Sequence, residues 1–260
     1  MAGTLPMTSG RRLALAIGVP LVLAVFGWTG LSLVSLVGAA SYPVRLHIPV
    51  RGGQASVVMD DSDARLSPGS PHELALTGTA HYALIKSQVS WTSSASGVSV
   101  HAQCRQLTGV CSFSYRIAVP PVPALTVRDS DGHLTLAGLG NQRISAEDRD
   151  GDITGTRLTA ARVWVSDASG NVSLTGLTAA AVTVRNSGGD VTLVFTSVPS
   201  AVHITDSAGN VHVVLPPGDT AYRVSVSAPD GSNHVNLPTS PASSHVITVS
   251  DPDGNVSIGQ

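Results

Sequence analysis

The side chains in this sequence that could do chemistry are chiefly aspartates. Asp129, Asp131, Asp148, Asp150, Asp152, Asp167, Asp190 and Asp206 recur through the second half of the chain. Paired carboxylates are what glycoside cleavage requires, one acting as acid and the other as base or nucleophile. Most of these residues, however, occupy one repeated place, a short turn between two apolar-polar-apolar triplets. Asp is expected there for structural reasons, since its carboxylate bonds nearby backbone N–H groups. The densest group, Glu147-Asp148-Arg149-Asp150-Gly151-Asp152, offers oxygens of the kind calcium takes. It has neither EF-hand spacing nor a nonapeptide glycine pattern, and reads as a solvated turn. His203 and His212 fall on outward positions of one repeat and His234 on the next, but no carboxylate or cysteine completes a metal set. No G-x-S-x-G elbow is present, and no Ser, His and Asp group together. The sequence therefore assigns no catalytic residue, no metal ligand and no cofactor. Trp164, outward in Val163-Trp164-Val165, is the best pointer to a binding surface. Either it stacks on a sugar or anchors a partner, or it lies beneath an N-terminal cap.

The elements that carry these residues repeat. Gly132-His133-Leu134-Thr135-Leu136, Gly151-Asp152-Ile153-Thr154-Gly155, Gly170-Asn171-Val172-Ser173-Leu174 and Gly189-Asp190-Val191-Thr192-Leu193 follow at 19-residue intervals. Looser copies begin at Gly209, Gly231 and Gly254. Each glycine is preceded by a second triplet, such as Leu125-Thr126-Val127 or Val182-Thr183-Val184, and strict alternation places one face inward and one outward. Two short strands cannot bury their own apolar face, whereas stacked copies can. The expected fold is all-β: a β-solenoid of about 19–23-residue coils over residues 125–260, with a β-rich cap over 41–124. Within the cap region, Val57-Val58-Met59 and Ala64-Arg65-Leu66 look like a degraded coil, and Cys111 to Val119 reads as a half-buried strand. The last coil, ending at Gln260, is a candidate for end-to-end association, blunted by prolines at 229, 238, 241 and 252.

Composition fits this architecture. Aromatics make up 4% and charged residues 12%, against 42% hydrophobic residues, so many small β-branched side chains must build the core. A net charge of −2, with Lys86 the only lysine, gives no basic footprint for nucleic acid. Residues 13–40 form a run of 28 without a charged side chain, preceded by Arg11 and Arg12. A span needs about 20 apolar residues, so the run reads as a transmembrane signal anchor with residues 1–12 cytoplasmic and the body exported. Cleavage after Val37-Gly38-Ala39 is the alternative and would make the protein secreted. Cys104 and Cys111 flank a short segment and pair naturally as a structural disulfide outside the cytoplasm; two buried thiols are the other reading.

These repeats of apolar-x-apolar, short turn and Gly-Asn/Asp-apolar-x-apolar resemble the bacterial putative-adhesin family of unknown function (DUF4097-like) over nearly the whole chain. The likeness is greatest to its actinobacterial membrane-anchored branch, through the Trp-containing anchor around Trp28, the Cys pair, and linkers such as Leu215-Pro216-Pro217-Gly218. Gly155, where an apolar residue is usual, and Ser232-Asn233 depart from the pattern. The resemblance implies a surface-exposed, non-enzymatic module whose partner is an envelope protein or glycan. The alternative is an envelope-stress sensing or regulatory membrane subunit, and a polysaccharide-active enzyme is the third reading.

Overall fold

Alternating β-branched and small polar residues leave little choice but strands, and in the computed structural model every regular element among the described residues is one. The structure describes residues 40–82, 86–103 and 111–260. Most of the expected membrane span, 13–39, lies outside them, while Ala40 already begins a strand. The first seven strands are β1 (Ala40–Pro49), β2 (Gln54–Met59), β3 (Ser62–Pro68), β4 (Glu73–Tyr82), β5 (Gln88–Ser93), β6 (Gly97–Gln103) and β7 (Cys111–Val119). The repeats supply β8 (Ala124–Arg128), β9 (Leu134–Ala137), β10 (Arg143–Asp148), β11 (Ile153–Thr156), β12 (Thr159–Asp167), β13 (Val172–Arg185) and β14 (Val191–Phe195). They continue with β15 (Ala201–Thr205), β16 (Val211–Val214), β17 (Arg223–Ser227), β18 (Asn233–Asn236), β19 (Val246–Ser250) and β20 (Val256–Gly259).

Each coil gives one strand to each of two sheets. The first sheet runs β5-β6-β2-β8-β10-β12-β13-β15-β19-β17. The second runs β1-β4-β7-β3-β9-β11-β13-β14-β16-β20-β18. β13 belongs to both, turning the corner at Gly176 (φ 68°) and slipping register between Thr175 and Leu177. Pairing is parallel through the stack, as equivalent strands of successive coils demand, and antiparallel only where β1, β4 and β5 close one end. Inward residues form continuous columns, among them Leu125, Ile144, Val163, Val182 and Val202 in the first sheet and Leu134, Ile153, Val172 and Val191 in the second, all buried. Gly155 does not disturb its column. It keeps register with Leu136 and Leu174, and Leu174 Cδ2 and Leu158 Cδ1 lie 2.6 and 2.9 Å from where its Cβ would be. Neighbouring leucines fill the space a side chain would take.

Sequence order and spatial order part company at both ends. β2 and β3 form a true coil, but it sits between β6/β7 and β8/β9. Residues 41–124 are thus not only a cap. At the other end, β19 and β20 insert between β15/β16 and β17/β18. The coil latest in sequence is bonded on both sides, so the surface expected to associate through it is instead presented by β17 and β18. The detour is held by Tyr222, fully buried, whose backbone N–H donates to Pro238 O (2.9 Å) and whose carbonyl accepts from Ser240 N (2.9 Å). Its ring meets His245 edge-on at 5.7 Å.

Candidate functional surface and the buried aspartate column

The glycines that mark the repeats stand in one file along the edge where the sheets meet. A Cβ on Gly254 would fall on the Gly209 carbonyl, and one on Gly231 on the Gly254 carbonyl, so each coil rests on the backbone of its neighbour and only glycine fits. The file runs Ser62, Gly132, Gly151, Gly170, Gly189, Gly209, Gly254, Gly231, and so records the exchanged coil order.

The residue after each glycine faces outward and bonds the next coil. Asp152 Oδ1 accepts from Asn171 N and Nδ2 (2.9 and 3.0 Å), Asn171 Oδ1 from Asp190 N (2.9 Å), and Asp190 Oδ1 from Asn210 N and Nδ2 (2.8 and 3.0 Å). Asn255 Nδ2 donates to Asn210 Oδ1 (2.9 Å), and Asn255 Oδ1 accepts from Ser232 Oγ (2.7 Å). Such bonds tie the carboxylates of Asp152 and Asp190 to the neighbouring coil. They are strung one per coil along an edge and do not converge on a cleft.

The residue three before each glycine behaves differently, and sequence reasoning missed it. Asp129, Asp148, Asp167, Asn186, Asp206 and Asp251 are all buried, whereas the sequence predicts a solvated turn around Asp148. Burial pushes Asp129 up to about 7, opposed by hydrogen bonds from Ser62 Oγ (2.7 Å) and Ser130 N (2.9 Å). It pushes Asp148, Asp167 and Asp206 up to about 6 and raises Asp251. The signal was available as an invariant offset of three from the glycine, broken only at the stack ends by Met59 before Ser62 and Ala228 before Gly231.

Trp164 lies half-buried on the outer face of the first sheet, in register with Ser145 and Thr183. Three strands, β10, β8 and β2, separate β12 from the capping hairpin of β5 and β6, so the cap does not hold Trp164 within its strand pairing. Around it the same face presents Arg143, Arg162 and Arg185, all exposed. The histidines are not assembled: His203 is on β15 in the first sheet and His212 on β16 in the second. His234 is separated from His212 by Ser257 of the interposed coil. Cys111 opens β7; Cys104 lies outside the described residues, and their pairing stays a proposal.

A solved structure described as a putative cell adhesion protein from Clostridium sporogenes ATCC 15579 is 10% identical, with 84% of this chain and 100% of that chain covered and a TM-score of 0.39. A putative adhesin from Bacteroides fragilis NCTC 9343 is 12% identical, covering 84% and 96%, with a TM-score of 0.42. No curated protein matches the chain. Residues 117–259 match the family model described as Toastrack DUF4097, and this span of coils, more than half of the sequence, places the chain in the Toastrack DUF4097 family.

Proposed function

We propose that this protein is a non-enzymatic, adhesin-like rod, held at the membrane by residues 13–39 with its body outside the cytoplasm, and that it contacts acidic glycan of the envelope through the outer face of its first sheet. The observation that carries the reading is Trp164 on the outer strand face, with Arg162 two residues before it, Arg143 opposite Arg162 on one neighbouring strand and Arg185 opposite Ser166 on the other. An indole offers a stacking surface for a sugar ring, and guanidinium groups take carboxylate or phosphate substituents in bidentate fashion. A stack of parallel strands repeats such positions at about 4.8 Å, which suits a linear polymer. The outward carboxylates of Asp152 and Asp190 fit the same reading, because both are bonded to the next coil.

The test uses full-length protein in detergent micelles and an immobilised acidic polysaccharide. Trp164→Ala should lower retention at least tenfold, and Arg162→Ala should lower it less and flatten its salt dependence. Both variants should keep the thermal midpoint of the parent within the small range typical of surface changes, about 0.5 kcal/mol in stability. Equal retention of parent and variants would remove this face from the proposal. Protease protection of the N-terminal segment in sealed membranes would establish the anchor and its orientation.

A further inference from the structure

Five carboxyl groups are buried along one edge of the rod with no basic partner among the described residues, and a sixth rung of the same column carries an amide. That amide shows what the site wants. Asn186 Oδ1 accepts from Ser187 N (3.1 Å), while its Nδ2 donates to the carbonyls of Gly170 (3.3 Å) and Gly189 (3.0 Å). The aspartates copy the first half of this pattern. Oδ1 accepts from Arg149 N in Asp148 (2.8 Å), from Ser169 N in Asp167 (3.2 Å) and from Ser207 N in Asp206 (2.8 Å). Their second oxygen takes the place of the amide nitrogen. Oδ2 of Asp148, Asp167 and Asp206, and both carboxyl oxygens of Asp251, receive no hydrogen bond, and in Asp148 and Asp167 Oδ2 lies 3.2 and 2.9 Å from the Cβ position of the glycine in its own coil. If the equivalence with Asn186 holds, an ionised oxygen in the place of its amide nitrogen meets carbonyl lone pairs, an acceptor against an acceptor in a dry site.

We propose that in mildly acidic solution Asp148, Asp167, Asp206 and Asp251 are held in the folded rod as carboxylic acids, each donating a proton from Oδ2 to a glycine carbonyl as Asn186 does with its amide, so that acid tightens the stack and a rise toward neutral pH loosens it. The surroundings agree. Asp131 and Asp150 face Asp148, Asp148 and Asp152 face Asp167, Asp251 and Asp190 face Asp206, and Asp253 faces Asp251. On the neighbouring turns, Arg128 is bound to Glu147 (2.8 Å), His133 lies 3.8 Å from Asp152, Arg149 is exposed, and on the outermost coil Asp230 N donates to Pro252 O of the coil beneath. Burial dominates the raised proton affinity of each rung, with the neighbouring acids adding to it and backbone N–H groups opposing it.

The sign follows from linkage. An aspartate in the unfolded chain ionises near 3.9, and Asp148, Asp167 and Asp206 do so in the rod at about 6. Below about pH 4 both states are protonated and the full stability is present. Between about 4 and 6 the unfolded chain releases protons that the rod retains, so stability falls as pH rises, and the loss levels off once the rod ionises too.

The test takes the full-length chain in detergent micelles with 13C-labelled aspartate. At about pH 5.5 an infrared protonated-carboxyl band should be present, and it should be gone by about pH 8. The thermal midpoint should fall by roughly 10 °C between about pH 5 and 8. The combined variant Asp148→Asn, Asp167→Asn, Asp206→Asn should lose most of that fall, since each amide reproduces the rung of Asn186. Absence of the band at about pH 5.5, or a midpoint that falls equally in parent and variant, would overturn the proposal. Should the combined variant not fold, the infrared titration of the parent decides: a component lost at about pH 6 supports the proposal, and a band lost only at about 7, where Asp129 ionises, overturns it.

Discussion

At one end of the stack β4 lies antiparallel between β1 and β7, and Leu74, Leu76, Phe113, Tyr115 and Ile117 are buried beneath the closure. At the other end β17 and β18 leave Val224 and Val226 half-buried, expose Val235 to 37%, and turn Asn233 to solvent. The first end is closed by bulk. Phe113 and Tyr115 stack at 5.1 Å between ring centres and supply area that valine columns cannot. The second is closed by exclusion of partners, with Pro229, Pro238 and Pro241 near its strands and polar or charged residues along them. Both ends use the same exchange of coil order, which keeps β2/β3 and β19/β20 bonded on two sides. A stack of parallel coils can therefore finish in a packed cap or in a thin, unattractive rung, and this molecule uses one of each.

Substitution can break the comparison. Phe113→Ala should cost the most, about 3–5 kcal/mol, because a large side chain leaves a cavity where β4 and β7 meet. Urea unfolding would read this, and a loss below about 1 kcal/mol would mean that the capped end is not the better-packed one. Gly254→Ala should cost less, about 2–4 kcal/mol, by forcing β19/β20 away from the Gly209 carbonyl. Its signature is local: amides of β17, β18 and β20 should exchange faster while those of β4 and β7 keep their protection. Uniform loss of protection would contradict the coil order at this end. Val235→Ser should change stability by no more than about 0.5 kcal/mol, since the side chain is already exposed. Sedimentation of the parent and of this variant at high concentration would sharpen the picture, and a self-association that vanishes with Val235 would show the thin end to be adhesive.

Repetition made much of this legible. The alternation in Val163-Trp164-Val165 or Val172-Ser173-Leu174 fixes a strand and its buried face whatever strand lies beside it, and the repeated glycine fixes where the turn falls. The degraded coil at Val57 and Ala64 was recognisable for the same reason, and β2 and β3 follow it. Trp164 was read as outward from alternation alone, and its half-buried place on the outer face agrees. The Asp turns are turns, as the repeat predicts, but the solvated turn expected over Glu147 to Asp152 holds the buried Asp148. A carboxylate in a turn costs nothing in water, and only the close approach of successive coils shows that the one three places before each glycine is shut in.

The sequence by itself determined an all-β chain of stacking coils, their register and their inward columns, because period and polarity are local properties that each strand carries with it. Tertiary structure decided which coil lies next to which. Equivalent triplets such as those of β15, β17 and β19 offer nearly the same apolar face, so alternation does not choose among them. The choice falls to long-range terms: the Tyr222 corner, the glycine file and the aspartate column, each of which exists only once coils distant in sequence are stacked.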